Sequence, residues 1–212
     1  MNDHTRSTLK AVLKEFSQFS YIAPDDIPDI PLYMDQITTF MDAKLSDCKR
    51  YPDEKILTKT MINNYAKNKL IPPPEKKKYS RDHILLLIYI YYLKDFLSIS
   101  DIQTLLEPMK NKHFQSGEDP SLNEIYKEVF QLVKGQTGYM TKDLMRRWQA
   151  AESTFADIDE KDQEYLQLFS FICLLSFDVY VKKKLIEEVA DEMRVYFSEH
   201  DKKDSGKQKT PD

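Results

Sequence analysis

Three consecutive prolines, Pro72-Pro73-Pro74, stand between two segments of helical periodicity and restrict this chain more than any other feature. Proline lacks the amide hydrogen and its ring clashes with the preceding turn, so a helix reaching this point must stop. Before the prolines, Leu57, Met61, Ile62, Tyr65 and Leu70 recur near the i, i+4, i+8 spacing of one buried helical face. The other face holds Lys59, Thr60, Asn63, Asn64 and Lys67, donors and amides suited to phosphates and base edges. With Thr58 as N-cap, a helix is predicted over 58–70. After the prolines, Glu75-Lys76-Lys77-Lys78-Tyr79 forms a compact basic hairpin or loop, and Ser80 is placed to cap the next helix.

This order resembles the MerR family of bacterial winged-helix regulators. Tyr65, Lys67, Leu70, Ile71, Pro72 and Pro73 match the end of that family's recognition helix, and Tyr79, Ser80 and Asp82 match the close of its wing. Leu97, Ser98, Ile99, Ile102, Leu105 and Leu106 match its next element. The chain is still more similar to an uncharacterised bacterial domain-of-unknown-function family that carries such a module near its N-terminus. It departs from the MerR pattern at Asn63, usually basic, and at Asn64, usually tyrosine. The wing lacks the common glycine, and Ser46–Lys55 is a longer polar loop where the family has a tight turn.

Charge is distributed unevenly. From Lys44 to Lys94 twelve basic side chains face five acidic ones, a local +7, so the net −4 leaves −11 for the rest. A basic module on an acidic body fits a nucleic-acid-facing domain. Only 4 glycines occur among 212 residues, and the abundance of helix formers favours an all-α fold with at most a small β wing. Cys48 and Cys173 are expected to be reduced thiols in a cytoplasmic protein, with Cys173 a buried small hydrophobe.

Along the chain, Leu9, Val12, Leu13, Phe16 and Phe19 predict an amphipathic helix over about 5–19, followed by an extended proline-rich linker over 23–31. Ile37, Phe40, Met41 and Leu45 give the first helix of a helix-turn-helix. The apolar run Ile84–Leu93 is hydrophobic all round, which demands a position central to the core or to a subunit interface, and it is too short to span a membrane. A boundary is expected over Glu107–Pro120, then a helix closed near Gly135 and another from about Thr141. From Asp159 to Ser198 one long helix or two meeting near Asp178 are expected, with Tyr165, Leu168, Phe169, Ile172, Leu175, Val179 and Leu185 as an inward stripe of a compact bundle. The acidic cluster at 157–162 reads as a helix start. The resulting division is 1–30 N-terminal helix and linker, 31–110 winged helix-turn-helix, 111–201 C-terminal helical domain and 202–212 disordered tail.

His4, His83, His113 and His200 have no partners at metal-ligand spacing, and no phosphate-cradling or nucleophile motif occurs. No metal, cofactor, catalytic residue, enzymatic activity or transmembrane segment is expected. The expected function is DNA-binding transcriptional regulation. Residues 58–70 would enter the major groove of double-stranded DNA, with Asn63 or Asn64 on adenine, while Lys59, Thr60, Lys67, Lys76, Lys77, Lys78 and Arg81 complete the contact set. The resemblance implies a homodimer, and the C-terminal helices would receive an effector or a protein partner. The competing expectation is a protein-interaction module that keeps the winged-helix fold without reading DNA.

Overall fold

The computed structural model describes residues 21–207 together with Ser7, Ala11 and Val12; the side chains of 160, 161 and 198–207 are outside the description. Apart from those three residues, the helix expected over 5–19 lies outside the described residues. The fold is mostly helical with one two-stranded sheet. The chain divides into two compact units, one organised on Ile22–Glu128 and joined by the chain from Leu185, the other on Val129–Lys184.

The first unit opens with the strand β1 (Leu32–Tyr33) and the helix α1 (Met34–Lys44). The Tyr33 amide donates to Gln36 Oε1 at 2.8 Å, which satisfies one of the amides a helix start leaves over. Ile37, Met41 and Leu45 are fully buried, the i, i+4, i+8 face that the spacing predicts. A 3-10 turn at Ser46–Cys48 and a polar loop lead to α2 (Lys59–Lys67). Its cap is Thr58, which accepts from the Met61 amide at 3.1 Å. The chain then forms β2 (Lys78–Tyr79), antiparallel to β1 with Leu32 opposite Tyr79 and Tyr33 opposite Lys78. The helix α3 (Arg81–Leu93) follows and is the centre of the core: Ile84 to Ile88 and Ile90 are all fully buried.

The helix α4 (Ile99–His113) starts on a capping box in which the Ser98 hydroxyl accepts from the Asp101 amide and Asp101 accepts from Ser98. It runs through Pro108, so the boundary expected over Glu107–Pro120 shrinks to the loop after His113. An internal proline costs about 3 kcal/mol. Here burial of Ile102 and Leu106 and a 2.7 Å bond from Lys110 Nζ to the Lys69 carbonyl hold the helix through it.

The linker expectation is corrected as well. Ile22, Pro24 and Ile27 are buried. Arg81 donates to the Pro24 carbonyl at 2.7 Å, to the Ile27 carbonyl at 2.6 Å and to Asn123 Oδ1 at 3.0 and 3.2 Å, and it pairs with Asp29. The Tyr126 hydroxyl donates to the Ile22 carbonyl at 2.6 Å. The prolines do keep 23–31 from forming an α-helix, but its apolar side chains belong to the core.

The helix α5 (Leu122–Glu152) begins with a Ser121–Glu124 box and buries Leu122 and Tyr126. It continues through Gly135 and Gly138, where a stop and a restart were expected. Neither glycine has positive φ, and a helical glycine costs only about 1 kcal/mol against alanine, too little to end a helix of this length. The helix α6 (Glu160–Lys207) is continuous across Asp178 and enters the expected tail; residues 208–212 lie outside the description.

In the second unit α5 and α6 form an antiparallel hairpin. Trp148, Ala151 and Phe171 make a small core joined by Leu168 and Leu175, with the Trp148 and Phe171 rings edge to face at 5.3 Å. Arg147 pairs with Asp143 at 2.6 Å and Asp178 at 3.1 Å. Gln167 Nε2 donates to the Glu152 and Thr154 carbonyls at 2.7 and 3.0 Å, satisfying acceptors left at the end of α5. The expected inward stripe is realised at only two of its seven positions: Leu168 and Leu175 face the core, whereas Tyr165, Phe169, Ile172, Val179 and Leu185 are exposed. Cys173 is also exposed rather than buried, and both cysteines are free. Within Asp162–Phe197, α6 is long and apolar enough to cross a membrane by length and composition.

Candidate nucleic-acid interface

The second helix of the first unit owes its orientation to two anchors. Ile62 and Tyr65 are buried beneath it, and Leu70 and Ile71 are buried just beyond its end. Thr60, Asn63, Asn64 and Lys67 are therefore exposed at i, i+3, i+4 and i+7, one polar stripe along the opposite face. Lys59 is also exposed, and its ammonium pairs with Asp35 of α1. The Asn64 side-chain oxygen accepts from Asn68 Nδ2 at 3.0 Å, so one of its two functions is already engaged.

The helix ends short of the predicted residue 70, at Lys67. The Leu70 amide donates to the Tyr65 carbonyl and the Lys69 amide to the Ala66 carbonyl, both near 3 Å, with Lys69 at φ +59°. This is a Schellman closure, in which glycine normally holds the left-handed position. The prolines then carry the chain away from the helix axis. Asn68 and Lys69 escape a sequence reading as surface groups because the helical spacing runs through both; only the three prolines just beyond them signal an early stop.

The wing has a similar peculiarity. Lys76 and Lys77 have φ of +49° and +65°, and the Lys78 amide donates to the Glu75 carbonyl at 2.8 Å. That is the pattern of a type I′ turn, usually built from Asn-Gly or Gly-Gly. Two lysines occupy it here, with Lys76, Lys77 and Lys78 all exposed. Lys78 Nζ lies 5.2 Å from the centre of the Tyr33 ring, a cation–π contact across the sheet that no local signal announces.

Behind the wing His83 is buried. Its Nδ1 accepts from the Ser80 amide at 3.0 Å and lies 2.9 Å from the Ser80 hydroxyl, which assigns the proton to Nε2. Its ring meets Tyr79 and Phe114 edge to face at 5.4 and 4.7 Å. Burial pushes the imidazole below its ordinary pKa, and the carbonyls of Pro72 and Pro73, short of hydrogen-bond geometry with Nε2, oppose this less strongly. His83 is a neutral strut between the proline turn, the wing and α3.

Of the expected contact residues, the structure brings Thr60, Asn63, Asn64 and Lys67 together on α2 and the three lysines together on the wing. Arg81 does not join them. Its guanidinium is consumed by the Pro24 and Ile27 carbonyls, Asn123 and Asp29, so it is an internal staple. Among the described residues no cluster of three or more His, Cys, Asp or Glu could hold a metal ion.

A family model described as Domain of unknown function (DUF1836) matches residues 22–129. No curated protein matches the chain. No solved structure matches it either. The matched span coincides within a residue with the Ile22–Glu128 part of the first unit, including the stapled segment from Ile22 and the first turns of α5. On this match across half its length, the chain belongs to the DUF1836 family.

Proposed function

We propose that this protein is a DNA-binding transcriptional regulator whose first unit works as a MerR-like winged helix-turn-helix. The exposed stripe of α2 lies in the major groove, where Asn63 or Asn64 pairs with adenine. Lys59, Lys67 and the wing lysines Lys76, Lys77 and Lys78 lie on phosphates. The observation that carries the reading is the wing tip. Two consecutive lysines occupy left-handed backbone positions where glycine or asparagine would be cheaper, so exposed positive charge is held there against local preference. The protein acts in the cytoplasm as a homodimer, and its second unit receives an effector or a protein partner.

A second reading, a protein-interaction module, draws support from the Lys59–Asp35 pair and the engaged Asn64 side chain, which temper the free charge and donors on α2. Titration of the protein into a labelled duplex pool at several salt concentrations separates the two. For the regulator, log K falls steeply with log salt. Replacing Lys76, Lys77 and Lys78 by Gln flattens the slope by about 2–3 and weakens all sequences alike. Asn63→Ala with Asn64→Ala instead reduces preference among sequences. Absence of binding at low salt rejects the regulator.

A further inference from the structure

We infer that the cleft at the base of the wing is a binding site for a small planar monocarboxylate, held by the buried His83 imidazole and the wing lysines. This goes beyond the DNA-binding reading and does not rest on it.

The cleft lies within the Ile22–Glu128 part of the first unit and encloses about 410 Å³, a volume typical of small-molecule sites. Stretches distant in sequence build it. Pro31 and Tyr33 come from the entry to β1, the stretch from Pro73 to His83 brings the proline turn, the wing and the start of α3, and Gln115 comes from the loop after α4. Lys76 and Gln115, both lining it, hold left-handed backbone at φ +49° each, a conformation that side chains other than asparagine and aspartate seldom adopt. The Gln115 amide is fixed in place by Asp82 Oδ2 at 2.8 Å. Backbone outliers from separate loops thus converge on one cavity, a pattern typical of ligand clamps.

His83 supplies the recognition. It is 3% exposed, and its Nδ1 accepts from the Ser80 amide at 3.0 Å. The other nitrogen, Nε2, carries the proton and has no hydrogen-bond partner. It lies against the carbonyls of Pro72 and Pro73 without bonding to either, and Pro73 is itself a wall of the cleft. A buried N–H without an acceptor is costly, and a ligand oxygen entering beside Pro73 would satisfy it.

Charge and shape narrow the ligand. Among the lining side chains Lys76 and Lys78 stand against Glu75, which leaves a net +1 while the imidazole is neutral. That balance suits a monoanion over a phosphate dianion. A carboxylate has two accepting oxygens, one for the Nε2 proton and one for an ammonium group. Pro31, Tyr33 and Pro73 offer flat apolar rings for a planar body. Lys78 Nζ is 5.2 Å from the centre of the Tyr33 ring, so charge and stacking surface stand side by side.

Benzoate is the probe, titrated into the full isotope-labelled chain and followed by nuclear magnetic resonance. The His83 Nε2–H signal and the amides of Lys76, Lys78 and Gln115 should shift together and saturate at millimolar benzoate or below. Benzamide, of the same shape without the charge, should bind about tenfold more weakly, as should benzoate to Lys78→Gln or His83→Asn, each losing one charge-assisted hydrogen bond. His83→Asn keeps an acceptor for the Ser80 amide and removes the ring N–H. Lys78→Gln alters only an exposed side chain, so the test stands even where the histidine variant does not fold. No saturable shift at the cleft overturns the proposal, as does binding indifferent to the charge or to the substitutions. Shifts at the lysine amides with His83 unmoved reduce the effect to surface charge and overturn it too. Inorganic phosphate binding more tightly than benzoate assigns the cleft to phosphate and overturns the carboxylate.

Discussion

The helix α3 and the first half of α6 are both apolar, yet they meet opposite fates. In α3 the run from Ile84 to Ile88 is fully buried, while in α6 Phe169, Ile172 and Phe177 stand more than half exposed. What differs is the number of neighbours. The first is enclosed by the wing, α4 and the segment stapled by Arg81, whereas the second packs on α5 along one side. An apolar run therefore measures a demand for burial, and topology decides whether the single chain can meet it.

The strongest way to break this comparison is truncation. Leu86→Ala should destabilise the first unit by about 2–5 kcal/mol through lost transfer energy and a residual cavity. Phe169→Ala, measured at concentrations too low for association, should stay within roughly 0.5 kcal/mol of the parent chain. Urea unfolding followed by tryptophan fluorescence and helicity checks both, and equal losses would show that α6 is enclosed after all. Arg81→Ala tests the enclosure itself. It strips hydrogen bonds from the Pro24 and Ile27 carbonyls, each half hidden from water, and should cost about 2–3 kcal/mol. Hydrogen exchange should then accelerate in 22–29 before it does so in α3; unchanged protection would deny Arg81 its structural role. The smallest effect is expected in α5. A Cβ at Gly135 or Gly138 would meet nothing within 4 Å. Gly135→Ala and Gly138→Ala should each stabilise by about 0.5–1 kcal/mol, read as a higher unfolding midpoint.

Local signals in the sequence located much of the fold. The helical face of α1, the Thr58 cap, the proline stop and the Ser80 start all follow from residues within one or two turns of each other, and the structure places them accordingly. The polar stripe on α2 was legible for the same reason. Arg81 was not, because its partners Pro24, Ile27 and Asn123 are distant in sequence and a lone arginine beside a basic loop looks like a surface charge. The left-handed backbone of Lys69, Lys76 and Lys77 was hidden because lysine carries no signal for it. Gly135 and Gly138 misled in the other direction: a weak local preference was read as a break, although the long helix around them outweighs it.

The Arg81 staple also has a consequence for the order in which the protein takes shape. It joins residues 42 to 57 positions apart, a loop closure that must be met before its contacts give any return. Pro24, Ile27 and Asp29 all precede Arg81, so on a ribosome three of its partners have already emerged when it appears, and only Asn123 comes later. The first unit can thus begin to close during synthesis, its last partner arriving with the first turn of α5, before the exposed face of α6 has been made.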